Sequence, residues 1–149
     1  MNSRRTLLAV LAAAVALMLS SCQKDTIKGF ETGNPMPGSW YASQVEYEGM
    51  PVDFKVDIQD VFRDGEGVYQ AEGLKIGRME VTHEGAPVMA ADIQNCIYNS
   101  LTYTGMFVIH YDDDDDPEYV FSMHFYYDPK LDRFTVIELS YNITFCRKK

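Results

Sequence analysis

Val52-Asp53-Phe54-Lys55-Val56-Asp57-Ile58-Gln59 alternates apolar and polar side chains without a break. Period two places Val52, Phe54, Val56 and Ile58 on one face of a strand and the charged residues on the other, which is the pattern of a half-buried strand with one wet face. Working outward, Arg63-Asp64-Gly65-Glu66-Gly67 reads as a turn containing Asp-Gly, a strong hairpin signal. Val68–Ala71 returns as a strand, and Met79–Thr82 forms another before Glu84-Gly85. Ala86–Ala91 is expected to be a strand followed by a connection. Asp92–Ser100 reads either as a short helix starting at Asp92 or as irregular chain crossing one end of the fold.

From Leu101 onward the β signal strengthens. Thr102–Tyr111 and Tyr119–Tyr127 are rich in β-branched and aromatic residues, with Phe121, Met123 and Phe125 on one face. Asp112–Glu118 joins them as a hairpin loop. Asp128-Pro129-Lys130-Leu131-Asp132 is a second turn, with Pro129 where a type I turn places it. Phe134–Phe145 reads as one long last strand. Upstream, Tyr41–Glu48 is a first strand. This gives an all-β fold of seven or eight strands in antiparallel order. An up-and-down meander of that number closes into a single barrel of about eight strands and removes exposed edges. The alternative is a β-sandwich.

The N-terminus is of a different kind. Arg4 and Arg5 precede an apolar run, Leu7–Leu19, and small residues Ser20-Ser21 lead to Cys22. A basic start, a short apolar core and a small-residue cleavage site describe an export signal, and the apolar run is short for a bilayer span. Leu19-Ser20-Ser21-Cys22 resembles the lipobox of bacterial lipoproteins. That resemblance implies cleavage after Ser21, acylation of Cys22 (palmitate among the chains), and an outer-membrane protein held by lipid. Two or more chains anchor stably where one does not. Gln23-Lys24-Asp25 resembles the surface-export signal of Bacteroidota lipoproteins, which points to the cell surface, with the periplasmic face as the alternative. Asp25-Thr26-Ile27 fits the O-glycosylation pattern of that phylum. Residues 1–21 are thus a signal peptide, 22–37 a Gly- and Pro-rich tether, and 38–149 the barrel domain.

Gly38-Ser39-Trp40 stands at the head of the domain, and Trp40 is the only tryptophan. It is similar to the Gly-x-Trp that opens the first strand of lipocalins and other calycin barrels. The resemblance implies that the Trp40 indole packs across one end of the barrel, with Gly38 allowing close approach. Arg147 stands roughly where such barrels set an arginine against the tryptophan. It also implies a pocket for a small apolar or amphipathic ligand.

The chain carries a formal charge of −9, more negative once Arg4 and Arg5 are removed, so nucleic acid and bare anionic lipid are disfavoured partners. With Cys22 acylated, Cys96 and Cys146 form an even pair in an oxidising compartment, and a Cys96–Cys146 disulfide is expected. Closing that loop would contribute roughly 3–4 kcal/mol in the chain-entropy model. Neither cysteine has ligand spacing with His83, His110 or His124. His110 and His124 flank the acidic loop and could lie near each other across a hairpin. The run Asp112–Asp116 reads first as a solvated hairpin tip; Asp112, Asp114 and Asp116 are calcium candidates without EF-hand spacing, and an acidic contact surface for a basic partner is a further alternative. No nucleophile or metalloprotease motif occurs, so no enzyme activity and no cofactor are expected. Ten tyrosines and eight phenylalanines, among them Tyr103, Tyr111, Tyr119, Tyr126 and Tyr127, either line a pocket or pack as core.

Two functions follow. The first is a lipid-anchored, non-enzymatic envelope protein that binds a small ligand inside its barrel. The second is a structural or accessory interaction protein of an outer-membrane complex, or a hydrolase inhibitor, with a filled interior. A cavity separates them.

Overall fold

A computed structural model describes residues 33–111, 120–137 and 142–147, the Leu74 side chain excepted. Strands β1 (Gly38–Tyr47), β2 (Met50–Ile58), β3 (Arg63–Gly65), β4 (Val68–His83), β5 (Ala86–Asn99), β6 (Thr104–Tyr111), β7 (Val120–Asp128), β8 (Arg133–Val136) and β9 (Ile143–Arg147) follow in order. Each pairs antiparallel with its sheet neighbours. Pairing of β2 with β4 and of β1 with β9 closes the sheet, so the protein is an up-and-down barrel of eight strands. Short β3 lies outside the circuit as a flap on the first part of β4.

Three hairpins share one device. Glu48-Gly49, Glu66-Gly67 and Glu84-Gly85 are two-residue loops in which both residues have positive φ, between 50° and 85°. Such turns match the right-handed twist of the flanking strands. The tip of the second hairpin is therefore Glu66-Gly67, two residues beyond the expected Asp64-Gly65, because Gly67 supplies the left-handed conformation (φ 85°).

Three strand expectations need correction. Val68–Ala71 and Met79–Thr82 are parts of one strand, β4, whose pairing with β5 slips between Glu72 and Gly77. The first part pairs with β3 and the second with β2. Asp92–Ser100 is neither helix nor connection, for β5 runs on to Asn99. A bulge between Ile93 and Asn95 absorbs one residue and returns Cys96 and Tyr98 to the interior. Phe134–Phe145 is two strands, with Phe134 opposite Phe145 and Val136 opposite Ile143. Ile137 is consequently an exposed residue at the reversal, 56% accessible.

The expected Cys96–Cys146 disulfide is not formed. Cys96 is a buried free thiol. In β9, Ile143, Phe145 and Arg147 point inward while Thr144 and Cys146 alternate to the outer face. The two sulfurs thus lie on opposite sides of the barrel wall, a separation that loop-length arguments do not register.

The tether is shorter than expected. Asn34, Pro35 and Met36 are buried, and Met36 is wholly inaccessible. Gly33–Pro37 therefore belongs to the folded domain as a strap across one end of the barrel. Cys22 and the rest of residues 1–32 lie outside the described residues.

Candidate functional site

Strand ends divide the barrel into two ends. At the first, β1 begins, β9 finishes, and the connections 100–103 and 129–132 turn. Trp40 lies across this end, fully buried, its Nε1 donating to the Met36 carbonyl at 2.9 Å. The Arg147 guanidinium stacks on the indole, 3.9 Å from the ring centroid. Its Nε donates to Asp132 at 3.1 Å, Nη1 to the Pro37 carbonyl at 3.0 Å, and Nη2 to the Pro35 carbonyl. Tyr127 donates its hydroxyl to the other Asp132 oxygen at 2.9 Å. Arg147 and Asp132 are each under 5% exposed.

Every charge in this cluster is thus answered by an opposite charge or a directed hydrogen bond, which buried charges require. Burial lowers the Arg147 guanidinium from its ordinary value, and the Asp132 carboxylate opposes that shift. Burial pushes the Tyr127 phenol far above its usual range, and donation to Asp132 adds to the effect. The network has no titrating group facing solvent. It is a seal that joins the strap, β1, β9 and the 129–132 turn.

Above the seal, aromatic rings fill the barrel. Trp40 meets Phe134 edge-on at 5.0 Å, Phe134 stacks on Phe145 at 4.7 Å, and Phe107 stacks on Phe125 at 4.6 Å. Tyr98 and Tyr127 meet edge-on at 5.9 Å. Burial pushes the Tyr98 phenol up to about 12, helped by the neighbouring Tyr103, Tyr69 and Tyr126. The void in the middle, bounded by Val56, Met79, Phe107, Met123 and Phe134 among others, measures about 10 Å³. That is at most the room for one water, far below the few hundred Å³ of a ligand pocket. Gly105 contributes to this filling: a Cβ there would overlap the Phe125 ring and the Ile97 carbonyl.

The opposite end carries the Glu48-Gly49 and Glu84-Gly85 turns and the chain leading into residues 112–119. Inward-facing Val45, Tyr47, Met89, Tyr111 and Phe121 are only partly buried here, packed on the core from above. Met50, Val88, Val120 and Ile137 are 40–56% exposed. His83 Nδ1 lies 2.7 Å from the Pro51 carbonyl and fastens β4 to β2.

Larger hollows are on the outer wall. A cleft of about 770 Å³ runs along the β3 flap between Arg63, Asp64, Gln70 and Glu72. A smaller one, about 210 Å³, lies beside Ser39, Asp57, Lys75 and Arg78. Both are open. The second borders an ion ladder in which Asp57 takes Lys55 (2.6 Å) and Ser39 (2.5 Å), and Asp92 takes Lys75 and Arg78 (both 3.0 Å).

Of the residues singled out in the sequence, Gly38, Trp40 and Arg147 come together, with Gly38 at φ 116° as the first residue of β1. Asp132 and Tyr127 complete that cluster, and nothing in their spacing marked them. His110 and His124 are not brought together. His110 faces Val120 and His124 faces Met106, so they are offset by four residues, about 13 Å along the strand. Asp112, Asp114, Asp116 and Tyr119 lie outside the described residues. Among the described residues no three His, Cys, Asp or Glu side chains gather as a metal site. Comparison with protein-family models, curated proteins and solved structures finds no match to this chain.

Proposed function

We propose that this chain is a lipid-anchored, non-enzymatic interaction protein of the bacterial outer membrane, exposed at the cell surface, whose barrel is a solid scaffold rather than a container. The carrying observation is the filled interior: among the described residues the central void of about 10 Å³ holds no small ligand. The lipobox ending at Cys22 supports the anchor, and Gln23-Lys24-Asp25 supports the surface leaflet. The Arg147–Trp40 stack, at 3.9 Å, supports a kinship with calycin barrels in architecture. In that reading the chain kept the seal and gave up the pocket, and recognition passes to the outer surface and the unsealed end.

Native mass spectrometry of the protein purified from its own host tests this. The expected result is the bare chain or the chain with a protein partner. A retained small molecule would return the function to ligand carriage. Changing Cys22→Ala should move the protein from the membrane fraction to the soluble fraction, and a variant that still pellets would remove the anchor.

A further inference from the structure

Charge is distributed unequally along the barrel axis. Around the waist and the sealed end, several carboxylates have basic neighbours: Asp57 has Lys55, Asp92 has Lys75 and Arg78, Asp128 has Arg133, and Asp132 has Arg147. The unsealed end is different. Its described segments, 43–53 and 82–90, carry Glu46, Glu48, Asp53 and Glu84 and no lysine or arginine. The described charges of this end are therefore all of one sign.

Large apolar side chains are exposed at both ends, Leu101, Tyr103, Tyr126 and Leu131 at the sealed one, but at the unsealed end they sit among described charges of one sign. Met50 is 40% and Val88 49% exposed, above half-buried Tyr47 and Met89. Exposed apolar surface set among charges of one sign marks an interaction surface rather than ordinary wall. Methionine adapts to irregular partners.

We infer that the unsealed end docks a basic, amphipathic segment of a partner protein. Its apolar side chains would pack on Met50, Tyr47, Val88 and Met89, and its lysines or arginines would face Glu46, Glu48 and Glu84. A metal ion would have no use for the apolar groups, an anionic membrane would be repelled, and the filled barrel leaves no depth for a small cationic molecule. An extended or helical segment satisfies both chemistries at once. The inference rests on the scaffold reading above, and deepens it. The strap at residues 33–37 lies at the sealed end, opposite this docking end.

The test uses the full chain and labelled model peptides: one of lysine and leucine in helical alternation, one with glutamate for lysine, and one with serine for leucine. Fluorescence anisotropy should show binding of the lysine–leucine peptide alone. Binding should weaken about tenfold or more in the triple variant Glu46→Lys, Glu48→Lys, Glu84→Lys, and also at high salt. Met50→Ser with Val88→Ser should weaken it too, while Asp64→Lys with Glu66→Lys at the other end should not. Trp40 fluorescence checks that each variant is folded. Bound peptide should slow amide exchange in 43–54 and 82–90. Failure to bind, equal affinity in the charge-reversed variant, or protection confined to 100–104 and 126–131 would overturn the inference while leaving the scaffold reading intact. A small molecule found inside the purified protein would instead overturn the scaffold reading.

Discussion

Arg147 and Asp132 are the side chains on which the sealed end depends. Each is nearly inaccessible, and each is the other's counter-charge. Removing one partner leaves an uncompensated buried charge, so Arg147→Ala should cost about 3–5 kcal/mol of unfolding free energy. Arg147→Lys should also destabilise, since a point ammonium cannot both stack on Trp40 and donate in three directions. Urea unfolding followed by Trp40 fluorescence measures both, and an Arg147→Ala variant as stable as the parent would contradict the account. Cys96 gives a second expectation. Burial raises its thiol well above the ordinary value, and the protonated sulfur is out of reach of reagents. Alkylation of Cys96 should occur only in denaturant, and modification of the native protein at that site would place it elsewhere than in the core. Trp40 and Arg147 were legible as a pair only through the resemblance to calycin barrels, which set an arginine against the first-strand tryptophan. Asp132 was not, because a turn aspartate announces only its own turn. The side of the wall on which Cys146 sits could have been read by counting alternation back from Phe145 and Ile143. Loop length and compartment carry no such directional information.

Among elements, the strands with strict alternation were legible and the irregular ones were not. β2 and β7 declare their inward faces residue by residue. β5 does not, because the bulge at Ile93/Asn95 shifts the alternation midway and makes a continuous strand look like a strand followed by something else. β8 and β9 read as one strand because the apolar period continues through the reversal. The unsealed end was legible only in part: its acidic run stood out, but the exposure of Met50 and Val88 follows from hairpin geometry. The ladder of Asp57 and Asp92 across β1, β2, β4 and β5 yields a pH expectation. Burial alone would raise the Asp92 carboxyl, but hydrogen bonds from Lys75 and Arg78 outweigh it and hold the carboxyl below its ordinary value. Lys55 and Ser39 do the same for Asp57 against its own burial. A carboxyl depressed in the folded state contributes stability that is present above its unfolded value, about 3.9. That contribution is lost as pH falls through the lower folded value. Asp92→Asn should therefore lower stability at neutral pH and converge on the parent in acid. Urea midpoints across pH 2–7 check this (about the window in which a carboxylate titrates), and parallel curves would show that the ladder adds nothing.

For the whole molecule, closure makes every strand depend on its weakest seam. β4 and β5 pair along most of their length, and β5, β6 and β7 continue a long ladder interrupted only by the bulge at Ile93/Asn95. The seam between β9 and β1 is short: among the described residues it joins Trp40 to Arg147 and Tyr41 to Cys146. Strand β8 is only four residues. Little backbone pairing therefore holds the circle shut, and Arg147 compensates by tying β9 to the strap and to the 129–132 turn. Local openings draw on the least stabilised region first, so native-state hydrogen exchange should be fastest along β9, β8 and the start of β1 and slowest in β5 and β6. Changing Arg147→Ala should widen that contrast. Exchange in β9 and residues 39–42 should accelerate by more than in β5, because the substitution removes ties that only the seam uses. If β5 and β6 accelerated equally, the barrel would open as one unit, and the seal would be a general contributor to stability rather than the clasp of a closed sheet.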